Sequence, residues 1–373
     1  MKVIIVGDFV PQERLIVPIR TKKFRDIFSD DLVSIIKSAD YSFVNFEFPI
    51  VSNGCKPILK CGPNLKGQPE AVEAIKYAGF NCCTLANNHI LDQGDESLLR
   101  TKKRLEAAGI KTIGAGANLA EASDILYLEK NTQKIAVINC CEHEFSIATE
   151  TTPGANPLNP IQQYYKIQEA RQNADYILVI VHGGHEHYQL PSPRMKETYR
   201  FFVDAGADVV VNHHQHCYSG YELYNGKFIF YGIGNFLFDW GGLRNSIWNE
   251  GYMVEINFCP NMNFSIYPYS QCNDEAKVKL LKFDAFDKRL HELNSIINND
   301  SALNGFADSY YKDCHKIIEE FLEPICNKWI VKLRRHSMFP KLVNKRWIPL
   351  LSNIVLCESH RDKLASYFRT KLK

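Results

Sequence analysis

Seven short apolar runs alternate with helical patterns over the first 240 residues or so: Val3–Val6, Ser42–Phe46, Cys82–Ala86, Ile135–Asn139, Tyr176–Val181, Asp208–Asn212 and Phe228–Tyr231. The helices between them have readable ends. Pro69 opens one, with Ala71, Ile75 and Ala78 on its buried face and Gly79 at its close. Ser192-Pro193 opens another as cap and first turn, Met195, Tyr199 and Phe202 face inward, and Gly206 ends it. Three helices leave through Ala-Gly directly into a strand, at Ala78-Gly79, Ala108-Gly109 and Ala205-Gly206. Joins of this kind lay helices over a largely parallel or mixed sheet. Tyr252–Phe258 and Asn263–Tyr269 alternate like a hairpin around Pro260-Asn261, so the sheet part is expected to close near residue 270.

Beyond Gln271 the β-type runs stop and long helical patterns such as Tyr310–Val331 take over, which divides the chain into an α/β part, 1–270, and a helical extension, 271–373. The whole chain is nearly neutral, 44 Lys+Arg against 42 Asp+Glu, but residues 324–373 carry 12 against 2. The balance excludes a wholly basic nucleic-acid binder. The asymmetry marks the tail as a separate surface: a solvated helical face, or a contact for a membrane, a synthase or an acidic polymer, because Trp347-Ile348-Pro349-Leu350-Leu351 interrupts the basic run with apolar side chains. With 45% hydrophobic residues the chain is neither disordered nor fibrous. Its apolar stretches fall well short of the roughly 20 residues of a membrane span. Val3–Val6, before Gly7-Asp8, is too short for a signal peptide and reads as a strand, so the expected compartment is the cytoplasm, at the inner face of the membrane if the tail docks there. The twelve cysteines contain no Cys-x-x-Cys and read as reduced, small core side chains.

Five of the apolar runs end in residues that bind metals. The first ends in Asp8, the second passes through Asn45 to Glu47, and the third ends in Asn87-Asn88-His89. Two later runs end in His182-Gly183-Gly184-His185-Glu186-His187 and Asn212-His213-His214-Gln215-His216. In α/β sheets, ligands bind beyond the carboxyl ends of strands, where side chains from several strands converge. Carboxylate, amide oxygen and imidazole without thiolate suit Mn²⁺, Fe or Zn²⁺ and argue against a structural zinc site. More than four such donors suggest two ions sharing a bridging carboxylate, the arrangement that clamps an in-line displacement at phosphorus.

Gly7-Asp8, Asn45-Phe46-Glu47, Ala86-Asn87-Asn88-His89 with Asp92 and Gly94, His182-Gly183-Gly184-His185-Glu186, His214-Gln215-His216 and Gly234-Asn235-Phe236 occur in one order. Each piece alone is common. The ordered set resembles the CapA-like family of poly-γ-glutamate capsule biosynthesis, a branch of the calcineurin-like metallophosphoesterases. The resemblance covers about residues 1–260 and leaves the basic tail unmatched. It implies a four-layer α-β-β-α sandwich of two mixed sheets, with one or two divalent ions at one edge. It also implies roles: Asp8 and His216 on the first metal, Glu47 bridging, Asn88, His182 and His214 on the second, and His89 as general acid. Position 10 is Val10 where the wider superfamily has a histidine ligand, as is usual in this branch. The activity implied is hydrolysis of a phosphoester by a metal-bound hydroxide, in the synthesis of a capsule or surface polymer. Hydrolysis or transfer at a γ-glutamyl amide, and a non-catalytic role beside a polymer synthase, are the alternatives.

The remaining site residues read as supports. Glu186 would hydrogen-bond a ligand or the substrate. Asn235 either ties the sheet end to the site or makes a turn. Asp92 either caps the helix near Asp95 or orients His89. Lys60, in the Pro/Gly-rich loop 53–68, would contact an anionic substrate, a phosphoester or an acidic polymer. His213 is set aside because strand alternation points it away from His214. His143, His291, His315, His336 and His360 read as ordinary surface or core histidines.

Overall fold

The computed structural model describes residues 1–51, 54–326, 328–336 and 347–371, so Asn53 and the basic residues Lys341, Lys345, Arg346 and Lys373 lie outside it. Among the described residues two large sheets form, of eight and six strands. The first strand, Lys2–Val10, sits in the middle of the larger sheet. It pairs in parallel with Tyr41–Phe46 on one side and antiparallel with Glu250–Asn257 on the other. Cys82–Thr84 and Lys111–Ile113 continue the parallel side, and Asn263–Gln271 and Val278–Leu280 the antiparallel side. In the smaller sheet Gln133–Cys141, Tyr176–His182, Val209–His213 and Lys227–Phe230 run parallel, with antiparallel edges at Leu126–Lys130 and Tyr221–Tyr224.

Strand alternation sets the layers. Val3, Ile5, Phe43 and Cys82 join one apolar cluster with Val179 and Val210 of the smaller sheet. Their neighbours Ile4, Val6, Val44 and Cys83 join a second, with Leu32, Ile75 and Leu98 from helices Asp30–Lys37, Ala71–Ala78 and Asp95–Ala107. Helices Pro160–Asn173 and Pro193–Asp204 cover the far side of the smaller sheet with Ile167, Met195, Tyr199 and Phe202. The result is helix, sheet, sheet, helix. Each such side chain removed from water stabilises the stack by roughly 1.5–3 kcal/mol.

Local signals sit where the chain uses them. Ser192 Oγ accepts the Met195 N–H at 3.1 Å, and Gly79 and Gly206 end their helices at φ of 106° and 121°. The helix after Pro69 begins two residues late, at Ala71. The larger sheet extends past residue 270 through Val278–Leu280, a strand too short to register as alternation. Helices Phe283–Ile297, Asp300–Cys326, Lys328–Arg335, Trp347–Leu356 and Glu358–Lys371 follow. Among the described residues no helix is long and apolar enough to cross a membrane.

The first strand runs on through Gly7-Asp8 rather than ending at Val6, with register shifts on either side of Asp8. Such irregularities re-aim a side chain. They occur where strand Asn235–Phe238 crosses close by: a Cβ on Gly7 would lie 1.6 Å from the Gly234 carbonyl oxygen. Gly7→Ala is therefore expected to push these strands apart and destabilise the fold by about 1–3 kcal/mol, read as a lowered melting temperature. An unchanged melting curve would show that the crossing is not tight.

Candidate metal centre

Asp8, Glu47, Asn88, His182, His214 and His216 come from five separate strand exits and are all buried at one edge of the two sheets. Donor atoms of Asp8, Glu47 and His216 lie within 4.8 Å of one another, as do those of Glu47, His182 and His214, so Glu47 belongs to both groups. His182 Nε2 is 3.4 Å from Glu47 Oε1, 3.1 Å from His214 Nδ1 and 3.0 Å from Asn88 Oδ1. His216 Nδ1 is 3.4 Å from Asp8 Oδ2.

The polar supports are specific. Asn45 Nδ2 donates to Asp8 Oδ1 at 2.7 Å and lies 3.2 Å from His182 Nδ1. The His214 N–H reaches Asp8 Oδ2 at 3.3 Å. Asn235 starts a strand rather than a turn; its Oδ1 is 2.9 Å from His216 Nδ1, and its Nδ2 donates to the His216 carbonyl. Asp92 faces His89, with Oδ2 2.6 Å from Nδ1, while the helix Asp95–Ala107 has Gly94 at its cap. That separates the two readings of Asp92 in favour of orienting the ring. Lys60 Nζ is ion-paired with Asp92 and 3.0 Å from His89 Nδ1. Its charge is thus already matched, and Lys60 belongs to the His89 support rather than standing as an uncommitted cation on a loop.

Glu47 decides whether the residues suit a metal. Both of its carboxylate oxygens are buried without a hydrogen-bond partner. Burial and the neighbouring Asp8 charge push its carboxyl well above the usual range. Burial also opposes the charge on Asp8, but the hydrogen bond from His216 and the charges of His182, His216 and His213 outweigh it and hold that carboxyl low. Burial and adjacent His214 push His182 well below its ordinary value. A buried carboxylate without a hydrogen-bond donor, among imidazole nitrogens that face one another, is costly for a protein alone and suited to a divalent cation.

The structure adds residues that sequence reasoning set aside or missed. His213 is buried with both nitrogens unpartnered, and a ring nitrogen lies within 4.8 Å of donor atoms of Asp8 and His182. It pairs in register with His182, and His214 breaks the alternation with φ of 89°, so the two-residue period stops applying there. Glu144 Oε2 accepts from Asn88 Nδ2 at 2.8 Å, holding the amide so that its oxygen faces His182. Glu186, already read from the sequence as a support, is solvent-accessible and groups with His214 and His216. His360 lies outside every motif yet lines the same cavity as His89 and His214.

Metal uptake is expected to displace the Glu47 proton, so affinity falls as pH falls and binding releases protons. Titration calorimetry of Mn²⁺ in two buffers of different ionisation heat checks this; equal enthalpies would count against it. Glu47→Gln is expected to leave the metal-free protein as stable as wild type or more so, because it removes a buried acid without a partner. The same change is expected to cancel most of the metal-induced stabilisation, about 2.7 kcal/mol for wild type at a hundredfold excess over Kd, read as a rise in melting temperature.

The sequence profile described as bacterial capsule synthesis protein PGA_cap matches residues 2–240. The capsule biosynthesis protein CapA of Bacillus anthracis is 36% identical over 56% of this chain and 53% of its own length. The PGA biosynthesis protein CapA of Bacillus subtilis is 31% identical over 64% of this chain and 63% of its own. The chain thus spans a little over half the length of these curated relatives. The fold overlaps distantly with a phosphatase from Mycoplasma pneumoniae (TM-score 0.44, 14% identity, 74% of this chain and 95% of that one). It overlaps similarly with the calcineurin-like phosphoesterase YfkN of Bacillus subtilis (TM-score 0.40, 13% identity, 71% and 90%). The profile match extends over well more than half of the chain and takes in every residue of the metal centre, and the chain belongs to the bacterial capsule synthesis PGA_cap family.

Proposed function

We propose that this protein is a divalent-metal-dependent hydrolase of the phosphoester type that serves synthesis of a capsule or other poly-γ-glutamate-type surface polymer. The observation that supports this most is Glu47, a buried carboxylate without a protein donor that two donor groups share, Asp8 with His216 and His182 with His214. Asp8, Glu47 and His216 would hold one ion, and Glu47, Asn88, His182 and His214 the other, with His213 near the first. Ions bound there would lower the pKa of water and polarise a phosphoryl oxygen.

The chain's own part is orientation and proton handling. Asp92 and Lys60 fix His89 through Nδ1, which leaves Nε2 to meet the substrate. Burial and the Lys60 charge keep the His89 pKa below its ordinary value, against the pull of Asp92. The ring therefore rests neutral; an anionic ester entering beside it raises its proton affinity, so the ring takes up a proton from solvent. Nε2 then gives that proton to the departing oxygen, which returns the ring to neutral. Asn45 and Asn235 hold Asp8, His182 and His216 in place, and Glu144 holds Asn88.

A second reading has its own observation. Trp347, Ile348, Val355 and Leu356 are exposed on one helix of the basic tail, a surface that fits an anionic membrane or a synthase partner. In that reading the metal centre is a scaffold.

Assay of the metal-loaded protein on p-nitrophenyl phosphate and on poly-γ-glutamate, with product analysis, separates these readings. Phosphate release is expected, and His89→Ala is expected to lower kcat by about 10²–10⁴ with metal content unchanged. Cleaved polymer without phosphate release would transfer the chemistry to the amide. Inactivity on both, with metal bound and tight binding to anionic vesicles, would favour the scaffold.

A further inference from the structure

The last two helices, beyond the stretch that matches the family, return to the metal centre. A cavity of about 240 Å³ has Asn88, His89 and His214 on one side and Leu350, His360 and Lys363 on the other. Three successive contacts pin the second of these helices to the α/β part. Glu358 takes the His143 N–H at 2.9 Å and lies 2.6 Å from its Nδ1. Ser359 Oγ donates to Glu142 Oε2 at 2.5 Å. Asp362 accepts from Arg194 Nε at 2.9 Å, while Arg194 Nη2 also donates to Glu142 at 2.7 Å. Charged side chains buried and paired in this way fix the helix in one position.

The charges around the cavity are mostly spoken for. Lys60 is paired with Asp92, Arg194 with Glu142 and Asp362, Glu144 receives Asn88, and Glu186 faces His214 and His216. Lys363 differs. Its Nζ lies 5.5 Å from the centre of the Tyr310 ring, and no ion pair to it forms among the described residues. It is half-buried in the cavity wall across from the metal ligands.

We propose that these two helices form the substrate-recognition wall of the site, with Lys363 contacting an anionic group on the leaving side of a small phosphoester. The proposal rests on the phosphoester reading above and names its substrate class: a monoester whose alcohol carries a carboxylate. The size agrees. The cavity holds roughly eight waters' volume, room for a small ester or the end residue of a chain but not for a polymer along its length. The electrostatics agree as well, since the metal ligands attend to the phosphoryl end and Lys363 is left for the far end.

The test uses the full-length, metal-loaded protein and a matched pair of probes, 2-phosphoglycolate and ethyl phosphate, which differ in the carboxylate. Binding is measured by calorimetry. Wild type is expected to bind 2-phosphoglycolate about tenfold more tightly. Lys363→Ala is expected to erase that preference and Lys363→Glu to reverse it, with metal content and melting temperature unchanged and the loss of affinity for ethyl phosphate smaller than the loss for 2-phosphoglycolate. Lys363→Arg is expected to keep most of the preference. Ethyl phosphate binding with no carboxylate increment, or an increment that survives Lys363→Ala, overturns the assignment of Lys363 and leaves the phosphoester reading standing. Failure of both probes to bind overturns both.

Discussion

Two carboxylates, Asp8 and Glu47, are buried side by side at the edge of two packed sheets, and the rest of the arrangement answers that burial. Desolvation alone would drive both to their neutral forms. Asp8 escapes because the Asn45 amide, the His214 N–H and the His216 ring face it. Neither oxygen of Glu47 has a hydrogen-bond partner. Holding an acid in that condition requires a scaffold that cannot relax around it. The scaffold here is two apolar layers, one between the sheets and one under the helices, which fix the strand ends on which the donors sit.

How much of this could be read from the chain depends on how local each cause is. Strand identity and the position of donors at strand exits are local: a short apolar run followed by Asp8, by Asn88-His89 or by His182 carries its meaning within a few residues. The ordered motifs brought the donors together before any geometry was available. Failures came where meaning depends on distant partners. Lys60 is visible as a cation, but not its pairing with Asp92, thirty-two residues on. Glu144 looks like any loop acid until it meets Asn88. The closeness of His213 to Asp8 and His182 was hidden for a different reason. Period-two alternation holds only inside a strand, and the left-handed backbone at His214 ends it one residue early for that argument.

The basic tail teaches the same lesson on a larger scale. Its composition reads as a surface, and part of it is one, since Trp347, Ile348, Val355 and Leu356 stay exposed. Yet the same helix offers Leu350 to the cavity, and the next one joins Glu142, His143 and Arg194 through Ser359, Glu358 and Asp362. Those bonds link positions more than a hundred and sixty residues apart, so no window of sequence contains both ends. One segment thus serves as both outer face and inner wall.

Because that wall is contributed by residues 350–363, long after the last donor at His216, the donors are translated and can gather while the wall is still inside the ribosome. A nascent chain at that stage would present a cleft without Leu350, His360 and Lys363, open on the side that the final helices cover. Selectivity would then be acquired at the end of synthesis, when the final helices dock.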